Sequence, residues 1–186
     1  LIERSNQAKY SDLQQAERLI TRALQLSSYE CMPLLRSAAL REYSDIAQQT
    51  GDWKGAIETI SRAIELARGL DTSKVEQLAS LYLTLGNIYN SEAAYFERNK
   101  LFDNADTSVI QAQRNYQLAL SYADSAHAFE LKAKALLNLG TTAYKLFQDS
   151  AAYDYYNKAL QMAKSADDAH IIALINQNLG ILEDTQ

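Results

Sequence analysis

The sequence predicts an all-α fold of antiparallel helix pairs, and three observations carry that expectation. The 186 residues hold six Gly and one Pro, far below the usual shares of about 7% and 5%. An all-β fold consumes turn residues every 8–12 positions or so, and that composition nearly excludes one. A small-large-small pattern then recurs four times: Ala16-x3-Ile20-x2-Ala23, Ala56-x3-Ile60-x2-Ala63, Ala112-x3-Tyr116-x2-Ala119 and Ala152-x3-Tyr156-x2-Ala159. Positions i, i+4 and i+7 share one helix face. The third observation is a second motif upstream of three of these copies. It reads Leu40-x2-Tyr43-Ser44-x2-Ala47, Tyr82-x2-Leu85-Gly86-x2-Tyr89 and Leu136-x2-Leu139-Gly140-x2-Ala143, with a last copy at Leu179-Gly180.

The steps between the four small-large-small copies are 40, 56 and 40 residues, and Gly140 to Gly180 is again 40. Gly inside a helix costs about 1 kcal/mol relative to Ala, so three of them at one register need a packing reason. Close approach of a second helix supplies it: Gly86, Gly140 and Gly180 are expected as contact points, with large residues of the second helix filling the groove.

In chain order, residues 1–10 read as the tail of a helix, and 11–27 as its partner. Helices follow at 33–50 and 53–68, with Pro33 tolerated in a first turn whose N–H is unpaired anyway. The next pair spans 73–99 and 104–124, then 127–147 and 150–164, and a single helix at 168–184 closes the chain. Grouped as repeats, these are a partial unit at 1–30, units at 33–68, 73–124 and 127–164, and a truncated unit at 168–186. Residue 1 is not Met and falls inside one repeat, while residue 186 falls inside another. The expectation is a segment of a larger protein.

These motifs resemble the tetratricopeptide repeat (TPR). Ser44 to Ala56 and Gly140 to Ala152 are each twelve residues, the spacing that family shows between its helix A and helix B small positions. The resemblance covers essentially the whole chain and implies a right-handed α-α superhelix, a TPR solenoid, with Gly51 and Gly69 in its turns. The period of 40 rather than 34 resembles the long repeats of kinesin light chains and Rap-type peptide-sensing regulators. The Pro that usually closes each family repeat is missing.

The third repeat is irregular. Gly86 to Ala112 spans 26 residues where twelve suffice, an insertion that adds about two turns to each of two antiparallel helices. Tyr95, Phe96, Leu101 and Phe102 fall in the added stretch. One reading makes them an exposed tip for a protein partner or for self-association. The other has them staple the two long helices together.

The resemblance also implies a binding groove lined by the A helices. The positions that fall there are Arg41, Asp45 and Gln48; Leu83, Asn87 and Asn90; Lys134, Leu137, Asn138, Thr141, Tyr144 and Lys145; and Gln177, Asn178 and Ile181. Asn138 and Asn178 share a register two before Gly140 and Gly180, where long-period relatives hold a peptide backbone with Asn. A side-chain amide offers both a donor and an acceptor to a peptide group. The competing reading is a polar side chain bonded to a neighbouring helix or to water. Arg41, Lys134 and Lys145 are the basic residues in the groove, and they do not match the family's carboxylate clamp.

Other classes find less support. The net charge is −5 and no basic run occurs, so nucleic acid is not an expected partner. No apolar stretch approaches the roughly 20 residues of a membrane helix. A soluble protein is expected, with a cytoplasmic setting favoured over an extracytoplasmic sensor region. Cys31 is alone, His127 and His170 lie 43 apart, and no phosphate loop, nucleophile elbow or metal-ligand spacing is present. No catalytic residue, metal or cofactor is expected. The function expected is a non-catalytic scaffold binding a protein or peptide. The alternative is a sensory region that binds a short peptide or small ligand and controls an attached effector.

Overall fold

The computed structural model describes residues 2–3, 13–29, 33–69 and 75–184. Among them are eight helices and no strands: α1 (Leu13–Tyr29), α2 (Pro33–Gln49), α3 (Trp53–Arg68), α4 (Val75–Arg98), α5 (Phe102–Ser125), α6 (Phe129–Lys145), α7 (Asp149–Ser165) and α8 (Ala169–Asp184). Their ends fall within about two residues of the expected ones, the ordinary spread of helix boundaries. Most of the expected helix at 1–10 lies outside the described residues, as does Cys31.

The chain divides into two compact units, residues 1–74 and 75–186. In the first, α2 packs against both α1 and α3. Ala16, Ile20 and Ala23 of α1 form one cluster with Ala39 and Ile46 of α2. Ser37 of α2 is buried, and its hydroxyl donates to the Ala63 carbonyl of α3 at 3.1 Å. In the second unit each helix packs against the next from α4 to α8. Its core includes Ala133, Leu136 and Ala143 of α6, Ala152, Tyr156 and Ala159 of α7, and Ile171 and Ile175 of α8. The small-large-small residues are therefore core residues in all four copies.

The five described turns share one device. Gly51, Lys100, His127, Phe147 and Asp167 each have φ between 54° and 81°. The amide of the following residue reaches back to a helix carbonyl, as in Asp52 N–H to Ala47 at 2.9 Å and Gln148 N–H to Ala143 at 2.9 Å. This closes the orphan carbonyls of a helix end in few residues. Only Gly51 adopts the left-handed conformation without strain. Asp52 also caps α3, accepting the Gly55 N–H at 3.0 Å.

Two of the three predicted contact glycines behave as expected. A β-carbon at Gly86 would lie 2.5 Å from the Tyr116 ring, and one at Gly140 would overlap the Tyr156 ring. Gly180 does not: it is exposed, with nothing within 4 Å of its β-carbon position. The reason is local, since no described helix packs over that face of α8.

The insertion lengthens both members of one pair. Helices α4 and α5 are 24 residues each, against 17 for α6 and α7. The hairpin is closed by buried Ala93, Ala105 and Val109, by half-buried Phe96, and by the Ser108 hydroxyl donating to Glu92 at 2.7 Å. Tyr95, Leu101 and Phe102 remain exposed. The rings of Phe96 and Tyr95 meet edge-on, 5.8 Å between centroids.

Candidate groove between α4 and α6

The groove chemistry begins with two tyrosines on B helices. Tyr116 of α5 is buried because Gly86 of α4 lets its ring lie against the backbone. That placement carries the hydroxyl across α4 to the residue after the glycine, where it donates to Asn87 Oδ1 at 2.9 Å. Tyr156 of α7 repeats the geometry over Gly140, its hydroxyl 3.4 Å from Thr141 Oγ1. Thr141 in turn donates to the Leu137 carbonyl at 3.1 Å. Burial pushes the Tyr116 phenol far above its ordinary value of 10. Burial also raises Tyr156, with Thr141 pulling the other way. Both phenols are therefore neutral donors at physiological pH.

Asn87 has a second partner. Asn138 of α6 donates its Nδ2 to the same Asn87 Oδ1 at 3.1 Å. Both lone pairs of that oxygen are then used, which fixes the orientation of the amide. The Asn87 NH2 and the Asn138 Oδ1 make no further hydrogen bond among the described residues, and Asn87 is exposed. The seam thus holds one donor and one acceptor with no partner among the described residues. One turn further along α4, Asn90 keeps its Oδ1 buried with no hydrogen-bond partner among the described residues. Beyond it, Lys145 of α6 pairs with Glu97 of α4 at 3.3 Å.

The remaining expected groove residues are distributed differently. The three basic residues are each engaged by a carboxylate: Arg41 by Glu42 at 2.9 Å, Lys134 by Glu130, and Lys145 by Glu97. Arg41 belongs to the first unit, and Lys134 and Lys145 both lie on α6. Tyr144 is half-buried against the core of the second unit. Gln177 is exposed and Asn178 half-buried on α8, and Asn178 makes no hydrogen bond among the described residues. Asn138 is joined to Asn87, not to its register-mate Asn178. The sequence reading also gave Tyr116 a packing role alone. The available signal was its position over Gly86, since a ring lying across that glycine points its hydroxyl at the next residue.

Among the described residues no group of three His, Cys, Asp or Glu side chains could hold a metal ion, and no helix is long and apolar enough to cross a membrane. His127 and His170 are both exposed.

No family model matches the chain, and no curated protein matches it in sequence. Solved structures do match in fold. Among them is the crystal structure of BtubC (BKLC) from P. vanneervenii, with a TM-score of 0.67 and 21% sequence identity. The match covers 94% of this chain and 67% of that one. At that identity the likeness concerns the helical fold.

Proposed function

We propose that the chain is a non-catalytic array of the TPR type, and that the seam between α4 and α6 binds the backbone of a peptide segment of a partner protein. One observation carries the reading. Tyr116 and Asn138 saturate the Asn87 oxygen, which leaves the donor of Asn87 and the acceptor of Asn138 without a partner among the described residues. A peptide unit offers the complementary pair, a carbonyl and an N–H, whatever its side chains are. Fixing the amides beforehand spares the ordering cost that binding otherwise incurs. The period of 40 residues, the small-large-small register and the fold shared with BtubC support the array reading.

The test is selection of a displayed random peptide library on the whole chain, followed by affinity measurement on the selected peptides. Asn87→Ala and Asn138→Ala are each expected to weaken them about tenfold, the effect of leaving one buried peptide group unpaired. Tyr116→Phe, which frees the Asn87 amide to turn, is expected to weaken them less. Selected peptides that bind both Ala variants as tightly as the parent would remove the seam from consideration.

A further inference from the structure

Phe147 is the residue least explained by folding. Its ring is 93% exposed, and its backbone is left-handed at φ 58°. A bulky side chain at that conformation is strained, and here the ring gains no packing in return. The corresponding turn of the first unit uses Gly51. Phe147 also has company. The turn between α4 and α5 lies at the same end of its pair and carries Leu101 and Phe102, 47% and 60% exposed. The Glu97–Lys145 ion pair joins the stems of these two turns.

The charges around the three apolar side chains indicate what covers them. Arg98 and Lys100 are positive, and Asp103, Asp106 and Asp149 negative; all but the half-buried Asp149 are exposed. None is ion-paired among the described residues, although Arg98 Nε donates to the Ala94 carbonyl. An apolar centre flanked by unpaired charges of both signs can be self-complementary. A two-fold axis near Leu101 and Phe102 would set Lys100 of one copy against Asp103 of the other. Isologous contacts require this kind of surface. We propose that two copies of this chain pair through the turn edge formed by Leu101, Phe102 and Phe147. The dimer is independent of the peptide seam.

Sedimentation velocity on the whole chain, from low micromolar concentration upward, provides the test. The parent chain is expected to dimerise reversibly. Phe147→Gly removes the ring and installs the residue that best tolerates the turn. It should weaken the dimer at least tenfold while the thermal midpoint holds or rises, a combination that damage to the fold does not produce. Lys100→Glu and Asp103→Lys should each weaken self-pairing. An equimolar mixture of those two variants should dimerise again, because each heterodimer contact then joins opposite charges. A parent chain that stays monomeric overturns the proposal and leaves the rings to a different partner. So does a Phe147→Gly chain that dimerises as the parent does, or a mixture no tighter than its components. Should Phe147→Gly fail to fold, the charge-swap mixture decides alone.

Discussion

The α2–α3 pair and the α6–α7 pair obey one register with different chemistry. In α6–α7 the small position is Gly140 and the large one Tyr156; in α2–α3 they are Ser44 and Ile60. All four side chains or positions are buried. Ser44 brings a β-carbon and satisfies its hydroxyl on the Arg41 carbonyl at 2.7 Å, so Ile60 can fill the remaining space with hydrocarbon. Gly140 removes the β-carbon, and a ring comes near enough for its hydroxyl to cross helix A. The same exchange at Gly86 delivers Tyr116 to Asn87. Glycine and tyrosine together link the buried contact between helices to the chemistry of the outer face. Serine and isoleucine give the packing without that link.

The largest expected effect is on the glycines that create the link. Gly86→Ala and Gly140→Ala force a methyl group into a buried ring, an overpacking cost of about 1–3 kcal/mol. The gain in helix propensity offsets about 1 kcal/mol of it. Urea denaturation followed by circular dichroism should show each variant destabilised, by about 1–2 kcal/mol for the larger clash. Ser44→Ala, at the equivalent position of the first unit, adds no atom and should shift stability less. Equal losses at all three sites would mean that the two chemistries are mechanically the same.

A smaller effect isolates the hydroxyl. Tyr116→Phe keeps the ring over Gly86 and deletes the bond to Asn87, a loss of about 1 kcal/mol. It should also change the response to alkali. Burial raises the Tyr116 phenol in the folded state, so the unfolded phenol ionises first as pH rises past its ordinary value. The stabilisation is therefore complete below about pH 10 and declines above it. Urea midpoints measured at pH 8 and at about pH 11 should fall less in Tyr116→Phe than in the parent. The decline should not vanish, because Tyr89 and Tyr156 are raised by burial as well. Ile60 has nothing to ionise, so the first unit should contribute no such term through that position.

These contrasts also explain how much could be read from the sequence. Ala16, Ala56, Ala112 and Ala152 recur on a fixed helix face, and each is buried where its helix packs on a neighbour; the helices and the buried residues were legible for that reason. The candidate groove was less legible. Register groups Asn138 with Asn178, and the competing reading bonds it to a neighbouring helix; the bond to Asn87 of α4 is of that second kind. Its real neighbour stands one residue after its glycine, whereas Asn138 stands two before. That offset of three, close to one helical turn, is set by how α4 and α6 slide along each other, and no periodicity encodes it. The strain at Phe147 was hidden for a similar reason: a left-handed conformation is invisible until the turn is built, and Phe does not announce it as Gly51 does.

The smallest expected effect tests whether a glycine at this register matters without its ring. Gly180 occupies the position of Gly86 and Gly140, yet a β-carbon there meets nothing within 4 Å. Gly180→Ala should therefore gain helix propensity without a clash, stabilising the chain by up to about 1 kcal/mol. The sign is opposite to that expected at the other two positions, and the same urea series measures it. A loss of 1 kcal/mol or more would mean that something covers this face of α8 in solution. The dimer proposed through Phe147 would not account for such a loss, since α8 contributes none of its contacts. A gain would establish that the penalty at Gly86 and Gly140 comes from Tyr116 and Tyr156, and that the register alone carries none.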